Sequence, residues 1–209
     1  YGCIQDYSGR EKAGLGKLAA PLQKIEQAAT PQEYVETMMD LSQQLSFQGL
    51  ISGFCVDREP LSNEKYTVWL NIPDTGLGKE YFANPRNADN VGHYQEYIAK
   101  MLNLYGRDAQ TAEREAADIL ALQQDLAQHS LGIGELYDPQ KSIHPLSLAE
   151  VRHLYGSLDT EAMLRRGGIL DSVDHWYVSD PDAVRRSSQL LTKERLPVFK
   201  EYAIFKLLH

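Results

Sequence analysis

Two amphipathic stretches dominate the hydrophobic pattern between residues 88 and 131. Val91, Tyr94, Ile98, Met101, Leu102 and Tyr105 recur at the 3.6-residue period, with Gln95, Glu96, Lys100 and Asn103 on the opposite side. Gly106 is placed to end this helix in a left-handed cap, and Asp108 to begin the next. Ala112, Ala116, Ile119, Leu120, Leu126 and Ala127 form the second stripe, which Gly132 closes. Small alanines permit close approach, and so short a linker makes the two helices antiparallel neighbours. The pattern predicts a long helical hairpin as the spine of the molecule.

Other elements follow from punctuation. Leu15, Leu18, Leu22 and Ile25 mark a helix within residues 11–29, which Pro21 bends or delays. Thr30-Pro31-Gln32-Glu33 is a strong start signal for a helix burying Tyr34, Val35, Met38, Leu41 and Leu45. Residues 50–56 and 65–71 are short and rich in β-branched and aromatic side chains, which predicts an antiparallel strand pair. Residues 72–87 read as an irregular connection. Beyond a loop through His144-Pro145, Ser147 and Glu150 form a capping box for a helix ended by Gly156. Asp159 caps a further helix stopped by Gly167-Gly168, and Val173, Trp176 and Val178 suggest a strand. Asp180-Pro181 starts another helix, and Leu196, Phe199, Tyr202, Ala203 and Leu207 form the last stripe. The fold class expected is mainly α: a multihelical lobe built on a long antiparallel helix hairpin, with a small β-hairpin, as one domain over residues 1–209.

The charge balance narrows the partners. With 29 acidic against 21 basic residues the net charge is −8, and no basic stripe suited to nucleic acid is visible. No apolar run approaches the roughly 20 residues that span a bilayer. Cys3 and Cys55 are too few for a disulfide framework; a single bridge and free thiols both remain open. The first residue is Tyr1, and the last stripe reaches His209 without a stop signal. Both ends read as cut, so a piece of a longer protein is expected.

Candidate chemistry is sparse. None of the six histidines, His93, His129, His144, His153, His175 and His209, begins an H-E-x-x-H zinc motif. Glu150 and His153 have the E-x-x-H spacing of carboxylate-bridged metal helices, but such sites need a second copy and more glutamates. His93 with Glu96 reads the same way. Gly14, Gly16 and Ala19 fit a dinucleotide fingerprint without the strand that motif requires. Asp171, Asp174 and His175 could exchange protons, yet no nucleophile can be named beside them. No catalytic or metal-ligating residue is therefore assigned.

The order of motifs resembles the neprilysin family of zinc metalloendopeptidases, which includes endothelin-converting enzyme and bacterial oligopeptidase O. Tyr1-Gly2-Cys3-Ile4-Gln5-Asp6 looks like the family's Y-x-S-C-m-[ND], with Gly2 where serine is usual. Gly76-Leu77-Gly78-Lys79-Glu80-Tyr81-Phe82 is similar to its G-L-G-L-P-x-x-x-Y-Y stretch, shortened. Tyr94, Tyr97, Ile98, Met101, Leu102, Leu104 and Gly106, then Leu126-Ala127, resemble its central helices. Glu135-Leu136-Tyr137-Asp138-Pro139 with Lys141 is like E-x-R-D-P-x-K. The chain departs from the pattern at Gln123 (usually glutamate), His144 (asparagine) and Thr160 (tryptophan).

The resemblance implies a division of labour. Family members enclose a water-filled cavity between two helical lobes, one of which holds the zinc and the substrate-aligning strand. This chain is similar to the other, cavity-capping lobe. It implies zinc in the parent enzyme and none in this fragment. The implied partners are the C-terminal zinc-containing lobe of the same protein and oligopeptides in the cavity, without nucleic acid and without a membrane segment in this chain. A cysteine in the family's Y-x-x-C position leans towards an extracytoplasmic location. The fragment alone is expected to be inactive. A stand-alone helical interaction or scaffold domain is the alternative.

Overall fold

The computed structural model describes residues 9, 14–45, 53–60, 62 and 64–209. The expected hairpin is present as α4 (Ala88–Tyr105) and α5 (Ala109–Gln128). Ahead of it come α1 (Ala19–Gln27), α2 (Pro31–Leu45), β1 (Phe54–Arg58), β2 (Tyr66–Leu70) and α3 (Lys79–Ala83). After it come α6 (Ile133–Leu136), α7 (Pro139–Ser142), β3 (His144–Leu146), α8 (Leu148–Tyr155), α9 (Thr160–Arg166), β4 (Trp176–Val178), α10 (Pro181–Leu190) and α11 (Leu196–Leu208). The fold is mainly helical with a small sheet.

Local chemistry explains the boundaries. Gly106 sits at φ 119°, and its N–H and that of Arg107 return to Asn103 and Leu102, closing α4. Asp108 accepts from Thr111 N at 3.0 Å and opens α5. Ser147 and Glu150 cap α8 reciprocally, as the sequence predicts. Asp159 and Asp180 each accept from a backbone N–H three residues on, with Pro181 behind Asp180. Glu33 accepts from Ala29 N at 2.8 Å, one residue upstream of the expected partner, while Thr30 accepts from Glu33 N.

Several expectations change: Leu45 of α2 is exposed, and Val173 lies outside β4. Gly132 does not close α5, which ends at Gln128; its N–H donates to Glu135 Oε2 at 3.1 Å, and it starts the single-turn α6. The connection at 72–87 contains α3 and a 3₁₀ turn, Pro85–Asn87. The hairpin of β1 and β2 is half of a four-stranded sheet ordered β1-β2-β4-β3. β1 runs antiparallel to β2, with Cys55 opposite Trp69 and Val56 opposite Val68. β2 pairs parallel with β4, Val68 opposite Trp176, and β3 closes antiparallel on β4. The expected strand residues 50–52, the N-terminal Tyr1–Asp6 motif and Cys3 lie outside the described residues; Cys55 is exposed.

The core is organised around α11. The sequence gives it one stripe, yet Ile204 and Phe205 are buried along with Leu196, Phe199, Tyr202 and Ala203. A helix apolar on several sides belongs in the middle, and α11 packs against α1, α2, α4 and α5. Tyr34 of α2 crosses to it, its ring edge-on to Phe199 at 6.2 Å and its hydroxyl donating to Phe199 O at 3.1 Å. Tyr94 and Tyr97 of α4 both meet Phe205 edge-on. Val68, Leu70, Leu146, Trp176 and Val178 of the sheet join the same core.

Candidate functional site

The residues singled out by chemistry are dispersed. Glu150 is committed to its cap, where Oε2 accepts from Ser147 N at 2.8 Å and from Ser147 Oγ at 2.7 Å; His153 beside it is exposed. His93 and Glu96 are exposed on α4. Gly14 and Gly16 form a turn leading into α1, without a preceding strand among the described residues. Asp171 and Asp174 are exposed, while His175 turns to Glu59, Nε2 to Oε1 at 3.6 Å. Among the described residues no three His, Cys, Asp or Glu side chains lie together as metal ligands.

Glu59, Trp69 and His175, partly exposed, form a compact group on the sheet with the buried Tyr177. Trp69 stacks on Tyr177 with centroids 5.2 Å apart, His175 meets Tyr177 edge-on, and Tyr177 donates to Glu59 Oε1 at 3.3 Å. Ser62 donates to the same carboxylate, and these hydroxyls hold its pKa below the usual range. The 3.6 Å from His175 to Glu59 exceeds a direct hydrogen bond, and no nucleophile among the described residues is placed against them. The pairing is far apart in sequence and carried no local signal.

The Gly76-Leu77-Gly78 segment is locked against the hairpin by a buried polar knot. Gln123, fully buried on α5, donates from Nε2 to Tyr94 Oη at 2.9 Å. Asp74 accepts from Gly76 N at 2.7 Å and from Lys206 Nζ of α11 at 2.7 Å, and Tyr202 donates to Asp74 O at 3.4 Å. Gly76 has φ +66°, and a Cβ there would lie 2.2 Å from Gln123 Nε2 and 2.5 Å from Tyr94 Oη. The Tyr202 phenol, pushed well up by burial, stays protonated. Beyond this segment Glu80 Oε1 accepts from Ile133 N at 2.8 Å, and Lys141 pairs with Glu135 at 3.0 Å. The Ile133 N–H lowers the Glu80 pKa, the Gly132 N–H and then Lys141 lower that of Glu135, and Glu80 ties the 76–82 segment to the start of α6.

Glu201 is the outlier in charge. It faces Glu115 and Asp118 of α5, with Arg114 and Arg107 nearby. Burial and the two carboxylates push its pKa up to about 7, against the pull of the arginines. Arg107 itself bridges Glu115 at 3.2 Å and Glu26 at 3.5 Å, tying α1 to α5.

The motif segments thus serve as joints between α3, α5, α6 and α11, as they would in a shared scaffold. The family model described as Peptidase family M13, in its N-terminal form, matches residues 1–209. The chain belongs to peptidase family M13. The same fold recurs in the zinc metalloprotease Zmp1 of Mycobacterium tuberculosis. Its inhibitor complex matches at 22% identity with a TM-score of 0.86, covering 97% of this chain and 31% of that one. Its open state matches at 22% identity with a TM-score of 0.85, covering 97% and 32%. PepO from Lactobacillus rhamnosis HN001 matches at 17% identity with a TM-score of 0.81, again over 97% and 32%. The M13 chain described here therefore spans about a third of the length of these structures. A search of the curated proteins gave no match.

Proposed function

We propose that this chain is the cavity-capping, non-catalytic lobe of an M13 zinc endopeptidase that cleaves oligopeptides. The observation that carries this reading is the family match over all 209 residues combined with a fold that fills only about 32% of Zmp1. The rest of such a protein would hold the zinc, which supplies Lewis-acid activation of water and of the scissile carbonyl. Among the described residues no three His, Cys, Asp or Glu side chains lie together as a ligand set for that ion. What this lobe contributes is physical. Its packed core makes a stiff cover that limits entry by size and keeps bulk water from the reaction. Its partner is the zinc-bearing lobe of the same polypeptide, and an extracytoplasmic location fits the Y-x-x-C resemblance.

The test compares the 209-residue chain with the longer protein from which it comes. The longer protein should cleave short fluorogenic peptides, lose that activity to a chelator, regain it with zinc, and cleave poorly as peptide length grows. The isolated chain should do none of this. Chelator-sensitive cleavage by the isolated chain, or a longer protein without a zinc motif, would overturn the reading.

A further inference from the structure

β1 stands at the edge of the sheet, with β2 as its neighbour on one side. Asn71 N donates to Gly53 O and Glu59 N to Lys65 O, both at 2.8 Å, which fixes the phase of the antiparallel ladder. The odd-numbered residues of β1 therefore bond to β2, and Phe54, Val56 and Arg58 turn their N–H and C=O groups outward. Arg58 is engaged already: its N–H donates to Asp57 Oδ1 at 2.7 Å, and its C=O accepts from Trp69 Nε1 at 3.4 Å. The outward groups of Phe54 and Val56 have no partner among the described residues. Folded proteins normally cover or charge a strand edge, and here charge is confined to Asp57 and Arg58 at its end. Val56 in its middle is 66% exposed, and Tyr66, on the same face, is 69% exposed.

Beside this edge lies a cavity of about 210 Å³, between β1, the C-terminal half of α2 and the turn after α9. Met39, Phe54, Val56 and Ile169 form its apolar wall, Ser42 and Gln43 its polar part, and no lining residue is charged. Glu36 and Asp40, also on α2, are paired with Arg166. Phe54 and Val56 thus carry both the free main-chain groups and one side of the cavity. In a strand added to β1, the residues opposite Phe54 and Val56 would share their face and point towards it.

We infer that β1 binds a short extended peptide by strand addition, with Phe54 and Val56 supplying the main-chain bonds and the cavity holding one uncharged, apolar side chain of the peptide. The cavity is smaller than the roughly 300–1,000 Å³ of sites for drug-sized ligands, which suits a single side chain. Two pairing residues also fall well short of the roughly 1,200–2,000 Å² buried in a stable protein–protein interface, which favours a short peptide over a second copy of this chain. The inference does not depend on the peptidase reading.

Fluorescence anisotropy tests it, with the purified chain titrated into a dye-labelled, end-blocked peptide in which leucine alternates with threonine. Saturable binding is expected. Methylating either the leucine or the threonine amide nitrogens strips one edge of the peptide at a time; one series should lose about tenfold or more in affinity and the other keep it. Val56→Pro removes an outward donor at a position where an edge strand tolerates proline, and should weaken binding about tenfold. If that variant fails to fold, the methylated peptides read the same edge on the unaltered chain. Ser42→Phe fills the cavity from α2 and leaves the edge intact, so it should erase the preference for leucine over alanine in the peptide. Absence of saturable binding, equal affinity for both methylated series, undiminished binding by folded Val56→Pro, or a chain that is dimeric until Val56→Pro makes it monomeric would overturn the assignment.

Discussion

Gly76→Ala probes the joint between the glycine segment and the hairpin, and its cost can be worked from two separate terms. The backbone at φ +66° disfavours any L side chain by roughly 1–2 kcal/mol. The added methyl would also lie 2.2 Å from Gln123 Nε2 and 2.7 Å from its Cδ, so the buried amide must move and release Tyr94. Losing that bond inside the fold adds about 1–2 kcal/mol. The sum is a destabilisation of about 2–4 kcal/mol, read as a lower urea midpoint at unchanged slope by far-UV circular dichroism. Two other glycines calibrate it. Gly106, at φ +119°, is no easier for an L side chain but has nothing within 4 Å of its added Cβ, so Gly106→Ala should show a backbone cost alone, about 1–2 kcal/mol. Gly92 lies inside α4 with open space around it, and Gly92→Ala should stabilise by about 0.5–1 kcal/mol. A Gly76→Ala variant no less stable than Gly106→Ala would refute the argument that steric conflict with Gln123 fixes this position.

Asp180→Ala should destabilise by about 2–3 kcal/mol in the same assay, because one buried carboxylate serves both the N-terminus of α10 and Leu131 N at 2.6 Å. Tyr34→Phe should cost about 1 kcal/mol for its bond to Phe199 O, with the ring packing retained. Glu201 carries a pH signature. Its folded pKa of about 7 lies above the unfolded 4.5, so the folded state holds the proton more tightly. The contribution is full below 4.5 and is lost as pH rises through 7. Glu201→Gln should flatten the decline in stability across that window and be the more stable protein above it, by about 1–2 kcal/mol after solvent screening. Parallel pH profiles for the two proteins would contradict the assignment.

What the sequence made legible was local. Ser147 with Glu150, Asp108, Asp159 and Asp180-Pro181 mark helix starts because a cap needs only residues three apart, and each cap is where the pattern puts it. The β-branched and aromatic run at 66–70 reveals a strand, and Thr67 and Val68, on opposite faces of it, are both buried. The parallel pairing of β2 with β4 joins residues separated by the whole helical middle of the chain, and no period encodes such a partner. β3 is three residues with a proline at its centre, tolerable at an edge and unreadable as a strand. The single-turn α6 and α7 are too short to show a helical period. The Glu59–His175 pair and the polar knot at Gly76 are likewise assembled from distant segments. The motif order at 76–82, 94–106 and 135–141 led to the family, although its residues act here as structural joints.

The central position of α11 bears on how the chain is made. Its neighbours α1 and α2 leave the ribosome well before it, and Tyr34 has no Phe199 to meet until another 165 residues have been synthesised. The early helices must wait with their apolar faces uncovered, a state in which a nascent chain is most prone to aggregate or to recruit chaperones. A stop codon ahead of residue 196 would therefore leave several correctly encoded helices with nothing to close around.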